Sequence, residues 1–200
     1  MTALQCATTL IVARHGEAEY EVSEWDDAEG GSLTALGRRQ AVELAESLAS
    51  ARVAHVWTST LARAVQTAEI VAARLGVGVT TRVGLREFGA GDLDEERDLE
   101  RWQAIWERWL AGDLETVIPG GESGRQIADR YRAVLREAAD LHPGETVLVV
   151  THGGVTSIGV PAVARMTGPA RQLGNCETVE IRADADAWVC TRWGQVEPSA

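Results

Sequence analysis

Residues 8–16 read Thr-Thr-Leu-Ile-Val-Ala-Arg-His-Gly, and residues 146–153 read Thr-Val-Leu-Val-Val-Thr-His-Gly. Each is a short apolar run, rich in β-branched residues, that does not alternate with polar ones; strands buried on both faces have this pattern. Each run ends in His-Gly. Strands covered on both sides need helices on both sides, and the rest of the chain provides them. Leu61, Val65, Ala68, Ala72 and Leu75 fall at i, i+4, i+7, i+11 and i+14, as do Ile127, Tyr131, Val134, Ala138 and Leu141, so each set predicts one apolar helix face. Gly76 and Pro143-Gly144 stop these helices, and Ser59 or Thr60 is placed to cap the first. A shorter helix fits Ala35 to Leu48, with Thr34 as N-cap and Ala41, Leu44, Ala45 and Leu48 facing inward. Val53 to Thr58 reads as a further strand. This order predicts an α/β three-layer sandwich, a mainly parallel central sheet covered by helices on both faces. Glu177 to Ala183 and Trp188 to Trp193 flank an Ala-Asp-Ala-Asp-Ala turn and predict a C-terminal hairpin at the sheet edge.

A chain of 200 residues with 45% hydrophobic content suits one domain over residues 1–200. Its net charge of -11 argues against nucleic acid or anionic membrane as partner, since either would meet a repelling surface. The N-terminal apolar run, Leu10 to Ala13, is too short for a signal peptide or a membrane span. Cys6, Cys176 and Cys190 are odd in number and widely spaced, which fits reduced thiols in a cytoplasmic protein and neither a disulfide framework nor a zinc site. All 19 basic residues are Arg. Lysine Schiff-base chemistry and a Gly-Lys-Ser/Thr phosphate loop are thereby excluded. Arg offers a planar fork that matches phosphate oxygens in pairs, and screening over roughly 8 Å lets a local Arg pocket act despite a distant acidic surface. No motif specifies an oligomeric state.

In open α/β sheets ligands bind beyond the carboxyl ends of the strands, so His15 and His152 would project into one crevice. Either alone fits a hydrogen-bonded turn histidine; two of the chain's four histidines at matching positions point to a site. Arg63 falls in the first turn of its helix, where the macrodipole disfavours a cation by roughly 0.3–1 kcal/mol. A bound anion would reverse that penalty.

Four segments then match a family in order: Arg14-His15-Gly16-Glu17, Thr58 to Ala68 around Arg63, Pro119-Gly120-Gly121-Glu122-Ser123, and Thr151-His152-Gly153-Gly154. Together they resemble the histidine phosphatase superfamily, the phosphoglycerate mutase-like proteins. The resemblance implies that His15 is the nucleophile, that Arg14, Arg63 and His152, with Gly16 and Gly153 beside them, form the phosphate pocket, and that Glu87 is the proton donor. Glu87, Gly91 and Leu93 reproduce the family's Glu-x-x-x-Gly-x-Leu/Trp spacing, with Asp92 and Asp94 as neighbouring acids. Two Arg and a protonated His152 would supply the cationic donors, with no metal and no cofactor. Ala18 and Glu21 stand where the family usually carries Ser or Thr and Asn, and Glu95 where it carries Gly; these departures bear on substrate choice and efficiency.

Trp102, Trp106 and Trp109 recur at i, i+4 and i+7 between the donor loop and Pro119. Such a stripe reads as core anchoring or, by resemblance, as the lining of a helical cap over about 96–118 that shapes specificity. Glu21 is a further candidate at the pocket edge. The expected function is a phosphohydrolase acting on a small phosphorylated substrate. The alternatives are a mutase-type phosphotransferase, or a phospho-ligand binding module with weak turnover. The donor loop Glu87-Phe88-Gly89-Ala90-Gly91 differs from the mutases' Glu-Arg-His-Tyr-Gly and favours hydrolysis. His15-Gly16-Glu17 also fits half of a zinc deaminase motif, whose Cys-x-x-Cys half is missing.

Overall fold

The computed structural model describes residues 6–20, 31–93 and 98–194. Along the chain lie β1 (Thr8–Arg14), β2 (Ala18–Glu19), β3 (Ser32–Leu33), α1 (Ala35–Ser47), β4 (Val53–Thr58), α2 (Ala62–Leu75), β5 (Gly78–Thr81) and a 3-10 turn (Val83–Leu85). There follow α3 (Leu99–Leu110), α4 (Gly124–Leu141), β6 (Thr146–Thr151), α5 (Gly153–Val163), β7 (Arg165–Met166), β8 (Thr178–Ala183) and β9 (Trp188–Trp193). Seven strands form one sheet in the order β5-β4-β6-β1-β8-β9-β7, parallel from β5 to β1. β8 joins β1 antiparallel and β9 joins β8 antiparallel. The C-terminal hairpin therefore forms, one strand in from the edge, because the short β7 pairs outside β9.

The missing alternation in β1 and β6 has a direct cause. Leu10, Val12, Val147 and Val149 pack on one face against Ile127, Tyr131 and Leu135 of α4 and Val155 and Ile158 of α5. Ile11, Ala13, Leu148 and Val150 pack on the other against Leu44 of α1 and Ala64, Ala68 and Val71 of α2. Both faces are core, and each Leu, Ile or Val so buried contributes on the order of 1.5–3 kcal/mol.

The helix ends follow local chemistry. Thr34 Oγ1 accepts the Gly37 N–H at 3.0 Å. Ser123 and Gln126 form a reciprocal capping box on α4. Gly76 ends α2 in the left-handed region, φ 72°. Two expectations need correction. Leu61, not Ser59 or Thr60, is the N-cap of α2 and no side chain caps that helix, because the chain is still extended at Leu61; Ser59 instead accepts the Leu61 N–H. Leu141 is 63% exposed, since it closes α4 where the chain turns back toward β6.

Candidate active site

β1 and β6 pair in parallel with Arg14 opposite Thr151, so the next residues, His15 and His152, emerge side by side with ring centroids 5.2 Å apart. After β1 the chain crosses to the α1 face, and after β6 it enters α5 on the opposite face. Such divergence opens a crevice at the strand ends. Arg63, the second residue of α2, is wholly buried and its Nε–H donates to His15 Nε2 at 3.2 Å. Arg14 donates through Nη1 to the Leu173 carbonyl at 2.8 Å, and its buried Nε has no hydrogen-bond partner among the described residues. The four residues predicted for the pocket core are thus brought together.

His15 Nδ1 lies 2.7 Å from the Gly16 carbonyl. A carbonyl only accepts, so Nδ1 carries the proton and Nε2 the lone pair. Burial, chiefly, lowers the His15 pKa from 6.5 to about 3; the Gly16 bond opposes this, and the Arg63 and Arg14 charges add to it. The ring is neutral at neutral pH, with its nucleophilic nitrogen toward Arg63. The protonated His152 expected from the resemblance would have to be paired with a bound anion, because the residues around it disfavour the charge. Burial above all, then electrostatic interaction with His15, Arg63, Arg130 and Arg14, holds its pKa well below the ordinary value.

Glu87 lies against the site. Its Oε2 accepts the Gly154 N–H at 2.8 Å and its Oε1 the Val155 N–H at 2.7 Å, in the first turn of α5, whose N-cap is His152. A Cβ at Gly154 would sit 2.9 Å from Glu87 Oε1 and 2.8 Å from the Phe88 ring, so this approach requires glycine. Three successive carbonyls ahead of Glu87 are anchored. Arg130 Nη1 donates to Gly84 at 3.0 Å and Arg86 at 2.7 Å, and Thr151 Oγ1 donates to Leu85 at 2.8 Å. Arg130 is itself held by both carboxylate oxygens of Glu122, at 2.7 and 3.0 Å. Asp92 is engaged elsewhere: its N–H binds the Pro119 carbonyl at 2.8 Å and its carboxylate packs over Gly120.

Gly16 spends its N–H on Thr67 Oγ1 at 3.1 Å, and what demands glycine there is Gly37, whose carbonyl oxygen would lie 2.5 Å from a Cβ. Gly153 backs onto Arg14, 3.5 Å from a Cβ to Cδ and Nε. The tryptophan stripe divides. Trp109 is buried in the core and donates to the Thr116 carbonyl at 2.8 Å. Trp102 and Trp106 are half-buried and stacked at 5.8 Å, and Trp106 stacks on Phe88 at 6.1 Å, next to Glu87. Glu21, Asp94 and Glu95 lie outside the described residues. Sequence reasoning missed Arg130, Thr67 and Asn175, whose Nδ2 donates to the His15 carbonyl at 3.1 Å. Thr67 stood inside the segment that carried the resemblance; Arg130 and Asn175 reach the site through bonds to backbone carbonyls, which leave no signature in a sequence.

A neutral histidine whose lone-pair nitrogen faces an arginine N–H, two arginines and a second histidine, at the strand ends of an α/β sheet, define a phosphatase that uses a histidine nucleophile. The histidine phosphatase superfamily (branch 1) matches residues 10–196, and the chain belongs to that family. The probable phosphoglycerate mutase GpmB of Salmonella choleraesuis is 32% identical over 194 residues, spanning 92% of this chain and 89% of the relative. Among solved structures, a mycobacterial glucosyl-3-phosphoglycerate phosphatase is 26% identical with a TM-score of 0.75, covering 95% of this chain and 100% of that one. Bacillus stearothermophilus YhfR is 28% identical with a TM-score of 0.75, covering 96% and 98%. No helix among the described residues is long and apolar enough to cross a membrane.

Proposed function

We propose that the protein is a cytoplasmic phosphohydrolase that cleaves phosphate monoesters of a small metabolite through a phosphohistidine on His15, without metal or cofactor. The observation that carries this reading is the buried, neutral His15, its Nδ1 proton held by Gly16 and its Nε2 lone pair turned to the Arg63 guanidinium. An incoming phosphoryl group takes over the Arg63 N–H, which frees Nε2 for in-line attack. Arg14, Arg63 and His152 meet the charge that develops on the equatorial oxygens. The N–P bond forms as the ester P–O bond breaks, and the departing oxygen takes a proton from Glu87. Water then attacks phosphorus, the N–P bond breaks, and Glu87 receives the water's proton. The amide N–H groups at the start of α5 hold the carboxyl's orientation through both steps.

Arg neutralises charge here in the way a divalent ion does elsewhere, and among the described residues no three His, Cys, Asp or Glu are grouped to hold a metal. Trp102 and Trp106, with the segment 96–118, are proposed to shape specificity on the leaving-group side. A mutase would form the same phosphoenzyme and return the phosphoryl group to its substrate. Phe88 and Gly89 favour hydrolysis, since they offer a carboxylate-bearing substrate no cation. A panel of phosphate esters that includes phosphoglycerates, assayed for inorganic phosphate with and without a chelator, tests the reading. Phosphate release that survives chelation is expected. Interconversion of phosphoglycerates without release, or activity restored only by a divalent ion, would contradict it.

A further inference from the structure

Ser59 is fully buried in the turn between β4 and α2, its N–H bonded to the Val150 carbonyl at 3.1 Å. Its Oγ accepts the Leu61 N–H at 3.2 Å and lies 2.8 Å from His152 Nε2. A hydroxyl has one proton to give. If His152 Nε2 were protonated, two donors would converge on Oγ, and the serine's own proton would be buried with no acceptor among the described residues. If Ser59 donates to Nε2, its hydrogen bonds are complete and the imidazole proton sits on Nδ1.

Nδ1 of His152 is buried without a partner among the described residues, and so is Nε of Arg14. The Arg14 Nε packs beside Gly153, the residue after His152. Two buried donors on neighbouring residues of the crevice wall, neither with an acceptor among the described residues, suit an anionic oxygen. We infer that Ser59 is a positioning residue: its hydroxyl proton fixes His152 as the Nδ1–H tautomer, and that N–H, with Arg14 Nε–H, holds a phosphoryl oxygen. The inference rests on reading the crevice as a phosphate pocket. It removes a difficulty in that reading, since a His152 buried beside three arginines need carry no charge to bind the anion.

The tautomer can be read independently of turnover, from two-bond nitrogen–proton correlations of the histidine rings in 15N-labelled full-length protein, followed by titration with inorganic phosphate. The wild type should show His152 with the proton on Nδ1, and phosphate should shift that nitrogen. Ser59→Ala should move the proton wholly or partly to Nε2 and weaken phosphate binding about tenfold or more, while Ser59→Thr, which keeps the hydroxyl, should retain the wild-type tautomer. An Nε2–H tautomer in the wild type overturns the proposal. So does a Ser59→Ala protein that is less heat-stable, from the lost Leu61 contact, yet unchanged in tautomer and phosphate affinity. A wild type with the Nδ1–H tautomer that does not bind phosphate would uphold the role of Ser59 and refute the pocket.

Discussion

His15 is held uncharged by its surroundings, and this has a thermodynamic signature. Its folded pKa is about 3 against 6.5 for the free side chain. Between those values the unfolded chain binds a proton that the folded chain refuses, so stability is present above the upper value and is lost as pH falls through the window. At about pH 4.5 the loss from His15 alone is about 3 kcal/mol relative to pH 7, and His152 acts in the same direction. Urea denaturation of the wild type and of His15→Asn at the two pH values checks this. The wild type should lose about 3 kcal/mol more than the variant; equal losses would show that the fold does not hold His15 neutral. Glu87 has a kinetic signature. Glu87→Gln removes the transferable proton, and general acid catalysis typically contributes ~10²–10⁴-fold where the leaving group is poor. In single-turnover phosphoenzyme formation, an alkyl phosphate should slow steeply and p-nitrophenyl phosphate far less. Equal losses would make Glu87 a positioning group only.

The elements that place these residues were unequally readable. β1, β6 and the apolar faces of α2 and α4 were legible because burial on both sides of a sheet, or on one side of a helix, leaves a period in the sequence. α5 was not. Its sequence, Gly-Gly-Val-Thr-Ser-Ile-Gly-Val-Pro-Ala-Val, is poor in helix formers and contains Pro161. It is buried almost throughout, so it has no polar face, and tertiary packing overrides its weak propensity. The clamp on the donor loop was equally hidden: Glu122 appeared in a motif, while its partner Arg130 lay eight residues on, in the middle of an amphipathic helix. That clamp makes a prediction at the same scale. Arg130→Met should release the Gly84 and Arg86 carbonyls and loosen Glu87 without touching the phosphate pocket. A displacement of about 1 Å can cost ~10²-fold, so kcat on alkyl phosphates should fall on the order of ten- to 100-fold. KM should change little, and p-nitrophenyl phosphate should be affected less. A uniform loss on both substrates would place Arg130 in the pocket rather than behind the loop.

Across the whole molecule, a net charge of -11 coexists with an anion pocket because the charges that matter lie within a few ångströms of one another and are shielded from the surface by burial. The position of the site was legible for a topological reason, since two buried parallel strands ending in His-Gly had to open at the same end of the sheet. The protonation preference of His152 was not legible, because it is set above all by burial and then by charged groups drawn from separate parts of the chain. The central claim is that the phosphoryl group passes through His15. The measurement that tests it most directly is to mix the enzyme with a 32P-labelled ester, quench in alkaline detergent and map the labelled peptide. Acid-labile, base-stable phosphate on His15 is expected in the wild type, and neither label nor turnover in His15→Ala. Label on another residue, or near wild-type turnover by His15→Ala, would contradict it.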